Sequence, residues 1–123
     1  MATQYSADNA RLCVPHLIDC ARRRETIPYS ELAEKIGRHH RAMAPALEHL
    51  LRECHRLELP TIGTLVVNKQ SRLPGDGFIV DQQARQLVYG SNQYKEAAVE
   101  EQERVYSHQN WQPLREAYGL QND

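Results

Sequence analysis

Residues 26–78 read TIPYSELAEKIG, then RHHRAMAPALEHLLRECHRLELP, then TIGTLVVNKQSRLPGDGF, and the fold turns on this stretch. Leu32 and Ile36 stand four apart, and Gly37 after them suits the left-handed residue that closes a helix, so a short helix of about two turns is predicted. A helix that short holds only by packing on a neighbour. The neighbour follows at once. Ala42, Met43, Ala46, Leu47, Leu50, Leu51, Cys54 and Leu57 recur at intervals of three and four, the apolar stripe of a longer helix. Pro45 has no amide proton and is at ease only in a first turn, so this helix starts near residues 41–43. Leu59-Pro60 stops it. The β-branched pair Val66-Val67, flanked by Leu65, Asn68 and Lys69, then predicts a strand, the run 73–77 a turn, and Phe78-Ile79-Val80 a returning strand. The result is two helices and a β-hairpin, with Lys69 and Arg72 at the hairpin tip.

Upstream, Ser6 is placed to cap a first helix, with Asp8 in its first turn. Leu12, Leu17, Ile18 and Ala21 fall near one face, and Pro15 predicts that the helix starts late or kinks. Arg22-Arg23-Arg24 then stands at the C-terminal end, where cations suit the last carbonyls. That is a plainer role than phosphate contact. Downstream from Asp81 the pattern is helical again, with Ser91 or Asn92 as a cap and Glu96, Glu100, Glu101 and Glu103 forming an acidic outer face. Trp111, Leu114, Tyr118 and Leu120 make a last apolar cluster. The expected fold is therefore a mainly helical α+β protein of one domain, residues 1–123. A winged-helix-like unit at residues 26–80 is flanked by an N-terminal helix and a C-terminal helical extension at residues 81–120.

A chain of 123 residues is long enough for one hydrophobic core, and a formal net charge of −1 excludes a uniformly basic nucleic-acid coat. The charge is unevenly placed. Residues 22–72 hold ten Lys/Arg against six Asp/Glu, and residues 73–123 hold four against eight. The middle is basic and the tail acidic, which also suits the pairing of two copies as a homodimer. No apolar run approaches the roughly 18 residues of a membrane span, and the first residues lack the pattern of a signal peptide. Three cysteines at low density read as reduced thiols, so a cytoplasmic protein without a membrane partner is expected.

The residues most suited to a ligand are Arg38, His39, His40 and Arg41, which precede the longer helix at its positive end, where free amides point outward. A recognition helix enters the DNA major groove by its N-terminal residues while a wing lies along the backbone. On that geometry Arg38, His39, His40 and Arg41 lead, and Lys69 and Arg72 meet phosphates. The plainer reading makes all six the solvated ends of a domain that contacts proteins. For metal, Cys13, His16 and Cys20 share a helical face, and His39, His40, His49 and His55 cluster in sequence, but none has the paired spacing of a zinc site, and core or surface roles suit them better. No glycine-flanked serine elbow and no phosphate-binding glycine loop occurs. Neither catalysis nor a cofactor is expected.

Within residues 26–78 the chain resembles the winged-helix domain of alkylguanine-DNA alkyltransferases and alkyltransferase-like proteins. The matching residues are 26–33, which open the first helix of the motif, Leu59-Pro60 before the active-site strand, and Gly75-Asp76-Gly77-Phe78 as a glycine-rich turn with an aromatic. The resemblance implies duplex DNA as partner and an arginine on the second helix that enters it. It does not imply the family's chemistry, because the reactive cysteine of a Pro-Cys-His-Arg tetrapeptide is missing from residues 62–67. Glu53-Cys54-His55-Arg56 is similar but precedes Leu59-Pro60, with Cys54 on the apolar side of the helix, where a thiol behaves as a small hydrophobe. Over most of its length the chain also looks like a group of small uncharacterised bacterial proteins. The expected function is non-catalytic binding of double-stranded DNA through the start of the longer helix and the hairpin. The alternative is an adaptor that uses the same fold for a protein partner.

Overall fold

The computed structural model describes residues 4–75, 88 and 90–121. It is a mainly helical α+β fold with one small sheet among the described residues. Helix α1, Gln4–Arg23, runs unbroken through Pro15. Pro15 is exposed, so its missing amide bond is lost on the wet side of the helix and the apolar side stays intact. Ser6 is not the cap: the helix begins before it, and Ser6 is buried within the first turn. The inward face is Asn9, Ala10, Cys13, Val14, Leu17, Ile18 and Ala21.

Strand β1, Ile27–Pro28, leads directly into α2, Tyr29–Ile36. Gly37 ends α2 at φ 69°, the left-handed state expected of it, and its N–H returns to Glu34 O at 3.1 Å. A 3-10 turn, His40–Ala42, feeds helix α3, Met43–Arg56, which starts where Pro45 requires. Helix α3 ends before Leu59-Pro60, because Glu58 turns left-handed at φ 57°. A second 3-10 turn, Ile62–Leu65, runs into β2, Val66–Val67. The sheet is parallel, with Ile27 beside Val66 and Pro28 beside Val67, so the helical pair α2–α3 is the crossover that parallel strands need.

The tip of the expected hairpin is present, but its turn falls at residues 68–73 rather than 73–77. Val67 bridges Pro74 in antiparallel sense, and Asn68 N donates to Leu73 O at 2.8 Å. The Asn68 carboxamide accepts from the amides of Gln70 and Ser71 at 2.8 and 3.1 Å, which folds the turn. The predicted returning strand at residues 78–80, and the start of the predicted C-terminal helical stretch, lie outside the described residues. Helix α4, Asn92–Ser107, carries the expected cap, with Ser91 Oγ accepting from Tyr94 N at 3.2 Å. Helix α5, Gln112–Ala117, closes the chain.

The core lies between α1 and α3. Leu17, Ile18, Leu47, Leu50, Ile62, Leu65, Val105, Trp111 and Leu114 are all buried in this one cluster. Each such Leu or Ile removed from water contributes roughly 1.5–3 kcal/mol relative to an exposed one. A satellite of Tyr94 and Ala98 packs on Leu73 at the hairpin base. Among the described residues no helix is long and apolar enough to cross a membrane.

Candidate nucleic-acid interface

The sharp exit from α2 fixes the first part of the site. Gly37 reverses the chain, and His39 follows in extended backbone. Its ring Nδ1 accepts from Arg41 N at 3.2 Å, so an imidazole caps the 3-10 turn in place of the usual hydroxyl or carboxylate. The rings of His39 and His40 lie 4.2 Å apart between centroids. Arg38 is drawn back onto α1, its Nε donating to Asn9 Oδ1 at 2.8 Å and its guanidinium 5.9 Å from the Tyr5 ring. Arg41 is exposed and, with Tyr5, Ser6, His39, Ala42 and Pro45, lines an open cleft of about 400 Å³.

Two tyrosines hold the hairpin that carries the second part. Tyr29 Oη accepts from Gly75 N at 2.8 Å, and Tyr94 Oη donates to Pro74 O at 2.7 Å. Lys69 and Arg72 stand exposed at the tip, Arg72 at φ 60°. Arg38, His39, His40 and Arg41 are thus brought together after the end of α2, while Lys69 and Arg72 belong to a hairpin tied to its start. Helix α2 has 8 residues, and at about 1.5 Å per residue it sets these ends roughly 12 Å apart.

The acidic helix does not engage these groups through ion pairs. Glu103 of α4 pairs with Arg24 at 2.8 Å. Glu101 accepts from Thr61 N at 2.7 Å and pairs with Arg104 at 2.7 Å. Among the described residues no carboxylate lies within 4.0 Å of Arg38, Arg41, Lys69 or Arg72 in an ion pair, whereas Arg52 and Arg56 of α3 are paired with Glu48 and Glu53, each at 2.7 Å. Beyond its first turn the outer side of α3 is therefore largely self-neutralised.

Two residues were missed by sequence reasoning. Lys35, exposed in the last turn of α2, adds a cation three residues before Arg38, and its only signal was a basic residue next to a helix end. Tyr5 is 57% exposed. It sits just outside the buried positions 6, 9, 10 and 13, and an aromatic displaced from its helix's apolar face was the available sign.

The cysteines face inward. Cys54 is fully buried between α3 and the Ile62 turn, and burial pushes its thiol up to about 12. It is no thiolate at neutral pH. Cys13 is pushed up to about 12 by the same cause. Among the described residues no three His, Cys, Asp or Glu side chains converge as metal ligands. Compared with protein-family models, curated proteins and solved structures, the chain matches none. Its likeness to the alkyltransferases rests on the short motifs alone.

Proposed function

We propose that this chain is a non-catalytic DNA-binding protein that meets the duplex with the start of α3 and the hairpin tip, in the manner of a winged helix. The observation that carries the reading is one of charge pairing. Arg23, Arg24, Arg52, Arg56 and Arg104 each have a carboxylate within 4.0 Å. Arg41, Lys69 and Arg72, all exposed, have no such partner among the described residues, a state they share with Arg11, Lys35, Arg38 and Lys95. An unpaired exposed cation keeps its full attraction for phosphate, and contact with DNA releases condensed counterions. Arg41 adds a further advantage, since it stands in the 3-10 turn that leads into α3, near the positive end of that helix. Arg38 takes a supporting part, because its Nε is committed to Asn9.

The test is a fluorescence-anisotropy titration of labelled random-sequence duplex at two salt concentrations, with an Arg41→Ala/Lys69→Ala/Arg72→Ala variant alongside. Wild type binds and weakens with salt, and every phosphate that the variant no longer reaches lowers the log–log salt slope by about 1. Absence of binding at low salt refutes the reading and leaves the adaptor, for which partner capture is the next step.

A further inference from the structure

Among the described residues the large apolar side chains left exposed are Tyr5, Val88 and Val99, and Tyr5 is the aromatic one. It does not stand alone. It shares the cleft of about 400 Å³ with His39 and Arg41, and the His40 ring lies tilted against the His39 ring with centroids 4.2 Å apart. Pro45 and Ala42 supply an apolar floor. Two rings and one guanidinium group therefore border one open cleft, with the His40 ring against His39 and the Arg38 guanidinium 5.9 Å from the Tyr5 ring.

This combination has no use in reading an intact duplex. There each base face is covered by its neighbours, and only edges reach the grooves. An exposed aromatic ring gains from nucleic acid only where a base offers a free face, and stacking tolerates any base. Tyr5 moreover belongs to α1, outside the helical pair and hairpin that the duplex reading employs. We infer that the cleft receives an unpaired nucleotide of DNA, its base stacked on Tyr5 and its phosphate on Arg41, so that the preferred ligand is duplex with a single-stranded end. The inference rests on the DNA-binding reading above and specifies its ligand.

The experiment compares three labelled DNAs, a blunt duplex, the same duplex with a short overhang, and the overhang strand alone, for wild type and Tyr5→Leu. Leucine keeps apolar bulk at an exposed position but removes the ring face, and a thermal melt checks that the variant is folded. The overhang is expected to tighten wild-type binding about 5- to 150-fold over the blunt duplex, the range that base stacking spans. Tyr5→Leu abolishes the preference, so that its overhang and blunt affinities become equal. Equal wild-type affinity for blunt and overhang DNA, or an overhang preference that survives in Tyr5→Leu, overturns the inference while the duplex reading stands. If none of the three DNAs binds, both fall together.

Discussion

Arg38 and Asn9, 29 residues apart in sequence, share a hydrogen bond of 2.8 Å that joins the entrance of α3 to the middle of the first half of α1. Asn9 is fully buried, and its Nδ2 already lacks a partner. Removing Arg38 leaves the whole carboxamide unsatisfied, at a cost of about 1–3 kcal/mol. Arg38→Ala is expected to lower the stability read from urea unfolding by that amount, whereas Arg41→Ala leaves it within about 0.5 kcal/mol of wild type. A variant at Arg38 that binds DNA poorly must therefore be checked for folding before its defect is assigned to the interface.

Glu101 is expected to matter more than any other acidic residue of α4. Its side chain is nearly buried and accepts the Thr61 amide at 2.7 Å, tying α4 to the segment that leads into β2. Glu101→Ala orphans that amide and costs about 1–3 kcal/mol. Glu101→Gln keeps an acceptor oxygen and loses less. Hydrogen exchange at the Thr61 amide reads the difference directly, with faster exchange in Glu101→Ala.

Alkaline pH is expected to destabilise the fold through its buried thiols. Cys13 and Cys54 are held up to about 12 by burial, while a thiol in the unfolded chain titrates near 8.5. Below that value both states keep the proton and the stability is intact. Above it the unfolded chain gives up protons that the folded chain retains, so stability falls progressively toward about 12. The Tyr118 hydroxyl, also raised by burial, adds to the fall at higher pH. Denaturant midpoints near pH 7.5 and near pH 10 should differ in wild type, and the difference should shrink in Cys54→Ala despite its lower overall stability.

Gly37→Ala tests the turn alone. A Cβ there would meet no atom within 4 Å, so the cost is conformational, set by φ 69°. About 1–2 kcal/mol is expected, measured as a shift in the urea midpoint. A much larger loss would mean that the turn is tighter than the spacing of its neighbours indicates.

The helices α2 and α3 were legible because an apolar stripe, a closing glycine and an early proline agree on their limits. The turn after β2 was misplaced, because Asn68 reads as strand, while its carboxamide folds the turn at residues 68–73 instead of 73–77. The parallel sheet was not legible. Pairing of Ile27 with Val66 leaves no local trace, and a two-residue strand shows no alternation. Continuity of α1 was also hidden, because Pro15 reads as a break unless its exposure is known. At the candidate site, the exposure of Arg41, Lys69 and Arg72 was legible from their positions at a helix entrance and a turn. The attachment of Arg38 to Asn9 was not, for it depends on how α1 lies against α3.

Parallel pairing of β1 with β2 also constrains how the molecule opens. Everything from α2 to the end of α3 is bracketed by that pairing, so neither helix can fray from a free end while the strands hold. The helical pair should open as a single cooperative unit, and amides in Leu32, Ala33, Leu47 and Leu50 should share one opening free energy in native-state hydrogen exchange. A ligand that clamps the hairpin would then slow exchange in α3 as well, far from where it touches.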